Sequence, residues 1–336
     1  MARINDIAID IGTTNILIYE LGHGLVGRVP AVVAVKTDNE TVWKYGEDAR
    51  NMVGRTPLSI QTIYPLRSGK IRDYSLFSDM LQHAIYDTFK DRRRSLSRPR
   101  AVVALPSLIT DIELSRVHST LFDAGLGHTE IVDRSIAAAI GCHVPMDDPT
   151  GFMIVDMGGS VTDISVISAG RVVEHNCINV SGDSFNDAIM RYIRQRYSLQ
   201  IGQFTAETLK INNTSALKSS NKLDITVAGR LATTNLPKQI TISNYDLTDA
   251  IHEPLQQLID EIHNTLCHTD STLVSDICQY GIVLSGGPSG MSALSDAIGI
   301  ALNIPTMQAE RGDETIVTGC SYILQNIRAY KRYLNN

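Results

Sequence analysis

The sequence predicts an α/β protein built from two related domains. Apolar, β-branched runs alternate with stretches of helical periodicity, the pattern of sheets layered with helices. The length of 336 residues suggests about two domains. A strand, an aspartate, a glycine turn carrying hydroxyls and a second strand occur twice, at Asp10 and again at Asp156. This repetition indicates an internal duplication, and the polar segment 145–150 is its predicted boundary.

The elements of the first half follow from local patterns. Residues 100–105 are apolar after the first residue and stop at Pro106, as a short buried strand does. The alanine run at 137–140 favours a helix. The elements predicted for this half are strands at 4–9, 16–20, 29–35, 42–45, 100–105 and 129–132, with helices at 75–89, 111–124 and 137–140.

The second half repeats this pattern after the polar segment. Strands are predicted at 151–156 and 163–167, on either side of the second aspartate turn. Long helices are predicted at 246–267 and 320–334. A glycine-free stretch rich in Asn, Ser and Lys at 212–222 indicates a loop within an inserted subdomain.

Composition excludes several classes of function. With 43% hydrophobic residues the chain can bury enough apolar surface to fold, so disorder is not expected. The net charge of -6 argues against nucleic acid as a partner. No apolar run approaches the ~20 residues of a membrane-spanning helix, and the N-terminus enters a strand-like run without a signal-peptide pattern. We therefore expect a cytoplasmic protein.

The five cysteines and nine histidines do not form metal-ligand patterns. The sequence contains no CxxC pair and no HExxH motif. The cysteines are expected to be reduced, structural thiols in a reducing compartment. A metal site built from protein ligands alone is therefore disfavoured.

The first chemical candidate is the turn Asp10-Ile-Gly-Thr-Thr-Asn15. Its glycine and threonines offer backbone N–H groups and hydroxyls to phosphate oxygens. The carboxylate of Asp10 suits a hydrated Mg²⁺, which binds through carboxylates and water. Taken by itself, the turn could equally be an ordinary hairpin.

The second candidate, Asp156-Met-Gly-Gly-Ser-Val-Thr-Asp163, repeats this arrangement. Two such turns facing each other would hold a triphosphate from both sides and supply two acidic partners for Mg²⁺. The alternative is that Gly158 and Gly159 only make a tight turn. The repetition favours the phosphate-binding interpretation.

Two further segments give weaker signals. In Gly281-Ile-Val-Leu-Ser-Gly-Gly-Pro-Ser-Gly290 an apolar strand breaks into a glycine turn that opens a helix, so a ligand can approach backbone and a helix N-terminus. The segment is not a P-loop, and no GxGxxG follows a strand. Glu207 and Lys210 share a helix face, where they form a surface pair or flank a nucleoside.

In their order along the chain, these motifs resemble those of the actin/sugar-kinase/heat-shock chaperone ATPase superfamily. Within it, the chain resembles the MreB-type bacterial actins over nearly its whole length. GRTP at 54–57 and LPKQITIS at 236–243 are typical of that family. The other matching motifs are DIGTTN (10–15), PLRSGKIRD (65–73), AAAIG (137–141), VDMGGSVTDISVIS (155–168), SGDSFNDAI (181–189), AETLK (206–210) and GIVLSGGPSGM (281–291).

The resemblance implies an α/β actin-like fold. Such a fold has two duplicated ribonuclease-H-like core domains, each with a smaller subdomain, and a nucleotide in the cleft between them. Domain I is expected at 1–145 plus 316–336, with its subdomain at about 30–75. Domain II is expected at 146–315, with its subdomain at about 181–245.

The resemblance also implies that the chain binds ATP and Mg²⁺. Asp10 and Asp156 would hold Mg²⁺, mainly through water. The positions that match the family's nucleotide contacts are Gly12, Thr13, Thr14, Asn15, Gly158, Gly159, Ser160 and Thr162 near the phosphates, Gly182, Asp183, Glu207, Thr208, Leu209 and Lys210 near the ribose and adenine, and Gly286, Gly287, Pro288 and Ser289 in the adenosine loop.

The implied partners are further copies of this chain, in paired head-to-tail filaments, and cell-shape and wall-synthesis proteins at the inner face of the cell membrane. Members of the family reach the membrane through an N-terminal amphipathic helix or an apolar loop. We expect no such helix here. The matching loop carries Arg92–Arg98, which would bind anionic lipid or form a solvated turn.

The main departure from the family lies before the alanine run. Relatives read Glu-Glu-Pro-Met where this chain has Asp133-Arg-Ser-Ile136. Arg134 replaces the glutamate that positions the attacking water, and a guanidinium has no lone pair for that task. Arg134 would pair with the γ-phosphate or turn away from the nucleotide. Asp133 could substitute only if the local backbone shifts.

Four further substitutions alter the glycine motifs. Ser160 and Ser181 stand where glycine is usual, Val161 removes a hydroxyl, and Pro288 removes an N–H donor. We therefore predict ATP binding with slow or absent hydrolysis, a weak ATPase at most. The alternative is a non-polymerising ATP-binding regulator or scaffold with the same fold. A small-molecule kinase ranks third, because the sequence shows no added substrate domain.

Overall fold

The computed structural model describes residues 6–67, 69–90, 98–105 and 110–335. The helices are α1 (Gly46–Arg50), α2 (Tyr74–Phe89), α3 (Asp111–Asp123), α4 (Arg134–Gly141), α5 (Gly182–Tyr197), α6 (Gln203–Asn213), α7 (Asn244–His268), α8 (Ser271–Tyr280), α9 (Leu294–Leu302), α10 (Thr315–Gln325) and α11 (Ile327–Tyr330). The strands are β1 (Ile7–Ile11), β2 (Asn15–Glu20), β3 (Gly24–Pro30), β4 (Val33–Lys36), β5 (Val42–Tyr45), β6 (Ile60–Ile63), β7 (Leu66–Arg67), β8 (Lys70–Ile71), β9 (Ala101–Leu105), β10 (Thr129–Asp133), β11 (Phe152–Met157), β12 (Thr162–Ser168), β13 (Arg171–Ile178), β14 (Leu199–Gln200), β15 (Asp224–Leu231), β16 (Pro237–Ser243), β17 (Ile282–Ser285), β18 (Thr306–Gln308) and β19 (Leu334–Asn335).

The chain divides into two units. Unit 1 comprises Met1–Pro149, Ile167–Val172 and Asp313–Asn336, and unit 2 comprises Thr150–Val166 and Val173–Gly312. The C-terminal segment belongs to the same unit as the N-terminal half, so unit 1 combines segments that are distant in sequence.

A six-stranded sheet in the order β19-β10-β9-β1-β2-β3 forms the centre of unit 1. β1, β9 and β10 run parallel, whereas β2 and β3 are antiparallel. Every residue of β1 and β9 is buried, as expected for strands covered on both faces. Ile7, Ile9 and Ile11 pack with Phe77 of α2 and Leu121 of α3. Because side chains alternate along a strand, the side chain of Asp10 lies on the opposite face.

Unit 2 repeats this strand arrangement. Its five-stranded sheet has the order β13-β12-β11-β17-β18, with β11, β17 and β18 parallel. In both units the first strand is central, the next two strands extend the sheet on one side, and two parallel strands extend it on the other. The predicted duplication is therefore confirmed at the level of topology. Met153 and Val155 of β11 pack with Phe185 of α5 and Leu258 of α7, and Asp156 alternates with them.

Small sheets accompany both central sheets. β5, β4 and β6 form a three-stranded sheet in unit 1, where Val32, Ala34 and Ala49 of α1 make a separate apolar cluster. β14, β15 and β16 form a three-stranded sheet in unit 2. No helix in the described part of the chain is long and apolar enough to cross a membrane.

The C-terminal region differs from its prediction. The sequence predicts one helix over 320–334, whereas α10 begins at Thr315 and ends at Gln325. Asn326 then leaves the helical conformation, with φ -141° and ψ 60°. After the short helix α11, residues Leu334 and Asn335 pair with β10. Pairing with an available sheet edge, which local periodicity does not reveal, decides the structure of these last residues.

Candidate functional site

Unit 1 brings the first aspartate turn close to the end of a distant strand. The parallel strands β1, β9 and β10 have their carboxyl ends at the same edge of the sheet. Asp10 is the penultimate residue of β1, and Asp133 is the last residue of β10. Arg134 follows at once as the first residue of α4. Residues more than a hundred positions apart in sequence therefore lie at one edge.

The first turn is tight and exposes hydroxyl groups. The N–H of Gly12 donates to the carbonyl of Asn15 at 3.0 Å. A Cβ at Gly12 would lie 2.7 Å from that carbonyl oxygen, so only glycine fits. The side chain of Thr14 is exposed, and that of Thr13 is partly exposed. The backbone of Thr14 is fixed by the N–H of Ala31, which donates to its carbonyl at 2.8 Å.

Arg134 forms an ion pair with Asp10. Its Nη1 lies 2.5 Å from Oδ1 of Asp10 and 3.5 Å from the carbonyl oxygen of Ile11. The side chains of Arg134 and Asp10 are only 14% and 9% exposed. The nearby thiol of Cys320 in α10 is fully buried, and burial raises its pKa, so it stays neutral. The pair is therefore largely shielded from solvent, where charge-assisted hydrogen bonds are strong.

Asp133 caps the helix that begins at Arg134. Its carboxylate accepts hydrogen bonds from the N–H groups of Ser135 at 2.7 Å and Ile136 at 3.4 Å. A capping carboxylate satisfies amide groups that would otherwise have no partner inside the helix. The sequence left open that Asp133 could take over from the missing glutamate after a backbone shift, and in this structure the carboxylate binds the helix instead.

In unit 2 the second aspartate lies beside a serine on the neighbouring strand. β11 and β17 run parallel, with Asp156 in register with Ser285. Oγ of Ser285 donates to Oδ1 of Asp156 at 3.0 Å, and both residues are buried. Ser285 is not among the site residues predicted from the sequence. Its place just before the Gly286 turn was a signal, but its partner depends on strand register.

The second turn is bonded to the beginning of α5. The N–H of Gly158 donates to the carbonyl of Val161 at 2.8 Å, which closes the turn. The N–H of Gly182 donates to the carbonyl of Gly158 at 3.0 Å, and the N–H of Asp183 donates to that of Gly159 at 2.8 Å. Carbonyl groups of the turn therefore satisfy the first amides of the helix, and Gly159 and Ser160 remain partly exposed.

Thr162 has a structural partner. Its side chain is fully buried, and its hydroxyl donates to the carbonyl of Val180 at 2.6 Å. This bond ties β12 to the residues that lead into α5. Ser181, which replaces a usual glycine, is also buried, and its N–H donates to Oγ of Ser184 at 3.1 Å. Both hydroxyl-bearing residues thus lie inside unit 2.

Lys210 reaches the first residue of α5. Its Nζ donates to the carbonyl of Gly182 at 2.9 Å. Burial lowers the pKa of the ammonium group, while the charges of Glu207 and Asp183 act in the opposite direction. A Cβ at Gly182 would lie 3.2 Å from Cγ of Pro288 and 3.3 Å from Nζ of Lys210. Gly182, Lys210 and Pro288 therefore converge, and Lys210 is more than a member of a surface pair.

Two predicted residues of α6 lie apart from this cluster. Leu209 is buried in the hydrophobic core of unit 2. Thr208 is exposed, and its hydroxyl donates to the carbonyl of Phe204 within the helix at 2.9 Å. Their neighbours Glu207 and Lys210 are partly exposed. Helical periodicity separates these residues, because only positions three or four apart share a face.

The glycine loop after β17 is held by close backbone contacts. Gly286 has φ +84°, and a Cβ there would collide with the carbonyl of Met157. Only glycine suits this position. Pro288 lies in a single 3₁₀ turn, Gly287–Gly290. Oγ of the buried Ser289 donates to the carbonyl of Gly286 at 2.6 Å, so the hydroxyl stabilises the loop internally.

The two aspartates do not belong to a ready-made metal cluster. Among the described residues there is no group of three or more His, Cys, Asp or Glu side chains that could hold a metal ion. Asp10 and Asp156 each accept a hydrogen bond from another side chain of the same unit. A hydrated Mg²⁺ needs only one or two carboxylates when phosphate is present. Ser285, which donates to Asp156, is neutral, whereas Arg134, which pairs with Asp10, is cationic.

Sequence comparisons extend along almost the whole chain. The model of the MreB/Mbl protein family matches residues 4–332. The chain is similar to the cell shape-determining protein Mbl of Bacillus subtilis, at 33% identity over 96% of either chain. It is also similar to the cell shape-determining protein MreB of Escherichia coli, at 34% identity over 91% of this chain and 89% of that protein.

Solved structures give the same result for the fold. Crystal structures of MreB5 of Spiroplasma citri, one bound to ADP and one to AMPPNP, each match with a TM-score of 0.89 at 28% identity. They cover 97% of this chain and 98% and 97% of theirs. A MamK double helical filament matches with a TM-score of 0.78 at 16% identity, covering 97% of this chain and 99% of that one. The predicted actin-like fold is therefore confirmed.

Proposed function

The chain belongs to the MreB/Mbl family, and from that premise we propose that it is an ATP-binding cytoskeletal protein that assembles into filaments and helps to determine cell shape. Its relatives Mbl and MreB are cell shape-determining proteins. The related MreB5 is bound to ADP or AMPPNP in its crystal structures. Nucleotide binding and assembly are therefore the functions to be tested first.

The observation that carries nucleotide binding is the convergence of Gly182, Lys210 and Pro288 in unit 2. The absence of a Cβ at Gly182 lets Lys210 and Pro288 approach the start of α5, which places a cationic group beside that helix end. The partly exposed Gly158 and Ser160 belong to the turn that bonds to the same helix end. We assign adenosine to this cluster and phosphates to the turn.

Unit 1 contributes the second set of phosphate-binding groups. Thr13, Thr14 and Asn15 follow a tight glycine turn whose backbone is fixed. Hydroxyls and amides at the end of a strand suit phosphate oxygens. The two aspartate turns, one in each unit, would bind the phosphates of the same ATP. Asp156 would attract a hydrated Mg²⁺ that accompanies the ATP, without Mg²⁺ being required for the ATP to bind.

Hydrolysis by this protein would be slow. Arg134 stands where the family places a glutamate, and its guanidinium cannot accept a proton from water. Asp133 is engaged in capping α4. Neither side chain at the start of α4 would therefore serve as a general base. We accordingly expect the filament to retain bound ATP.

We propose that the subunits assemble head to tail. Such a contact joins two different faces of identical subunits and leaves one face open at each end, so the filament can grow. We further propose that the filaments are paired and lie on the inner face of the membrane. There they would act together with cell-shape and wall-synthesis proteins. Arg92–Arg98 could bind anionic lipid, but residues 92–97 lie outside the described part of the chain. Arg98 packs against Phe122, with its guanidinium 3.9 Å from the ring centroid.

Sedimentation and negative-stain microscopy with ATP, ADP or no nucleotide test the proposal. We expect filaments to form in the presence of ATP. We also expect them to persist for as long as the ATP is not hydrolysed. Saturable ATP binding without filaments under any condition would favour the alternative, a non-polymerising regulator or scaffold of the same fold. ATP-dependent phosphorylation of a sugar would instead indicate a kinase. Flotation with neutral and with anionic vesicles separately tests the lipid contact.

A further inference from the structure

The placement of Arg134 follows from the order of the parallel strands. β9 lies between β1 and β10, so the residue after β10 must reach across the end of β9 to meet β1. Arg134 does so, and its Nη1 lies 2.5 Å from Oδ1 of Asp10. Arginine is long enough for this reach, and its planar guanidinium matches the geometry of a carboxylate. The contact therefore joins two ends of one sheet edge.

The surroundings of Arg134 favour this one arrangement. The backbone at the start of α4 is fixed by the carboxylate of Asp133, which accepts from the N–H groups of Ser135 and Ile136. The neutral thiol of Cys320 supplies no competing negative charge. Both members of the Arg134–Asp10 pair are largely buried. Because both side chains are largely buried, removing one of the two charges would be costly for the other, which favours the closed pair.

The pair changes what unit 1 offers to a divalent cation. A hydrated Mg²⁺ beside a nucleotide is attracted by carboxylates and by phosphate oxygens. Here the negative charge of Asp10 is balanced by Arg134, and the guanidinium itself repels a cation. The carboxylate of Asp10 thus does not fit the role of a magnesium partner while the pair is closed. A guanidinium also compensates phosphate charge directly.

We propose that Arg134 takes the place of the divalent cation's charge in unit 1, so that this chain binds ATP with little dependence on Mg²⁺. The inference rests on the proposed nucleotide binding and concerns how that site is regulated. Changes in free Mg²⁺ would then have little effect on the nucleotide state of the protein.

Isothermal titration calorimetry tests this directly, by measuring the affinity of the full-length protein for ATP in a buffer with Mg²⁺ and in a buffer with EDTA. For the unaltered chain we expect the two affinities to differ by less than about fivefold, the lower end of ordinary coupling between two bound ligands. In Arg134→Gln the carboxylate of Asp10 loses this cationic partner, and Mg²⁺ should raise the affinity by more than about tenfold. Circular dichroism establishes that the variant is folded.

Arg100→Gln is the matched control. Arg100 also forms an ion pair with an aspartate, Asp6, at 2.5 Å. That pair precedes β9 and β1, at the opposite end of the same two strands from Asp10. Its loss removes an equal charge from unit 1 without altering the edge where the phosphates would bind. The ratio of the two ATP affinities in Arg100→Gln should equal that of the unaltered chain.

Paramagnetic resonance of Mn²⁺ gives a readout independent of nucleotide affinity. In the unaltered protein saturated with ATP, Mn²⁺ should bind no more tightly than it binds free ATP, and in Arg134→Gln it should bind more tightly. A strong Mg²⁺ dependence of ATP affinity in the unaltered chain would overturn the inference and leave the proposed function intact. Failure of ATP to bind in either buffer would overturn both.

Discussion

Arg134 is the residue at which this chain departs most consequentially from its family. Sequence comparison with the family pattern identifies the replaced glutamate but leaves two orientations open, toward a phosphate or away from it. In the structure the guanidinium forms an ion pair with Asp10. Under the proposed function, the replacement would remove a general base, and it pairs a carboxylate that was predicted to hold Mg²⁺ with a guanidinium. A single side chain would then affect both hydrolysis and cation binding.

Restoring the carboxylate should restore turnover. In Arg134→Glu the new side chain can orient and deprotonate water, and Asp10 is released from its partner. Because general base catalysis contributes about a hundredfold or more, steady-state phosphate release should rise by about that factor. Arg134→Gln, which removes the charge without supplying a base, should stay at the original rate. Release from the unaltered chain as fast as from a family member with the Glu-Glu-Pro pattern would contradict the prediction of slow hydrolysis.

Lys210 should give the stability a distinct pH dependence. Burial lowers the pKa of its ammonium group below the ordinary value of 10.5, so the unfolded chain holds this proton more tightly than the folded chain. Stability should therefore rise as the pH increases through the folded-state pKa toward 10.5. Urea unfolding of the unaltered chain and of Lys210→Met should show a stability difference that shifts in favour of Lys210 over this range. A difference that does not change with pH would contradict the burial of the charge.

At the scale of elements, the contact between α4 and α10 supports the start of α4. A Cβ at Gly319 of α10 would collide with the carbonyl of Ala137 in α4. A Cβ at Gly141 of α4 would likewise collide with the carbonyl of Thr315. The two helices therefore approach closely through a glycine on each side. α10 also carries Cys320, the neutral neighbour of the Arg134–Asp10 pair.

Gly319→Ala should separate these helices. The added methyl group forces a backbone shift, so we expect a loss of about 1–3 kcal/mol in the free energy of unfolding, measured with urea. Gly299→Ala in α9 is the matched control, because a Cβ there has no neighbour closer than 3.2 Å, the carbonyl of Ile304. It should cost much less, since alanine also favours the helix. Equal effects of the two substitutions would contradict a close α4–α10 contact.

At the scale of the whole molecule, the repeated topology gives each unit one aspartate turn. β1 leads into Gly12 in unit 1, and β11 leads into Gly158 in unit 2. If both turns bind the phosphates of one ATP, that ligand contacts both of the compact units. Whether one ATP contacts both units therefore cannot be tested by substituting a single residue.

Hydrogen exchange should detect ATP in both units at once. Amides of α4 in unit 1 and of α5 in unit 2 should become more protected at the same ATP concentration, because a ligand stabilises the states that bind it. Amides of β15 and β16, a sheet remote in sequence from the two turns, serve as the internal reference. Protection confined to one unit would show that one turn alone holds the nucleotide.

The sequence determined the α/β class, the duplication, most element positions and the set of glycine turns, because these depend on local signals. Hydrophobic periodicity identifies strands and helices, and a glycine in a tight turn such as Gly12 is required by its own neighbours. The predicted extent of the last helix was wrong, because Leu334 pairs with β10, a strand that is distant in sequence.

Only the tertiary structure decided which side chains meet. Arg134 pairs with Asp10 because the order of β1, β9 and β10 places both residues at one sheet edge. Ser285 binds Asp156 because of the register between β11 and β17. Such partners depend on strand order and register, which link residues more than a hundred positions apart. The chemistry of the site therefore follows from contacts that no local pattern encodes, and the residues that supply it follow from patterns that are entirely local.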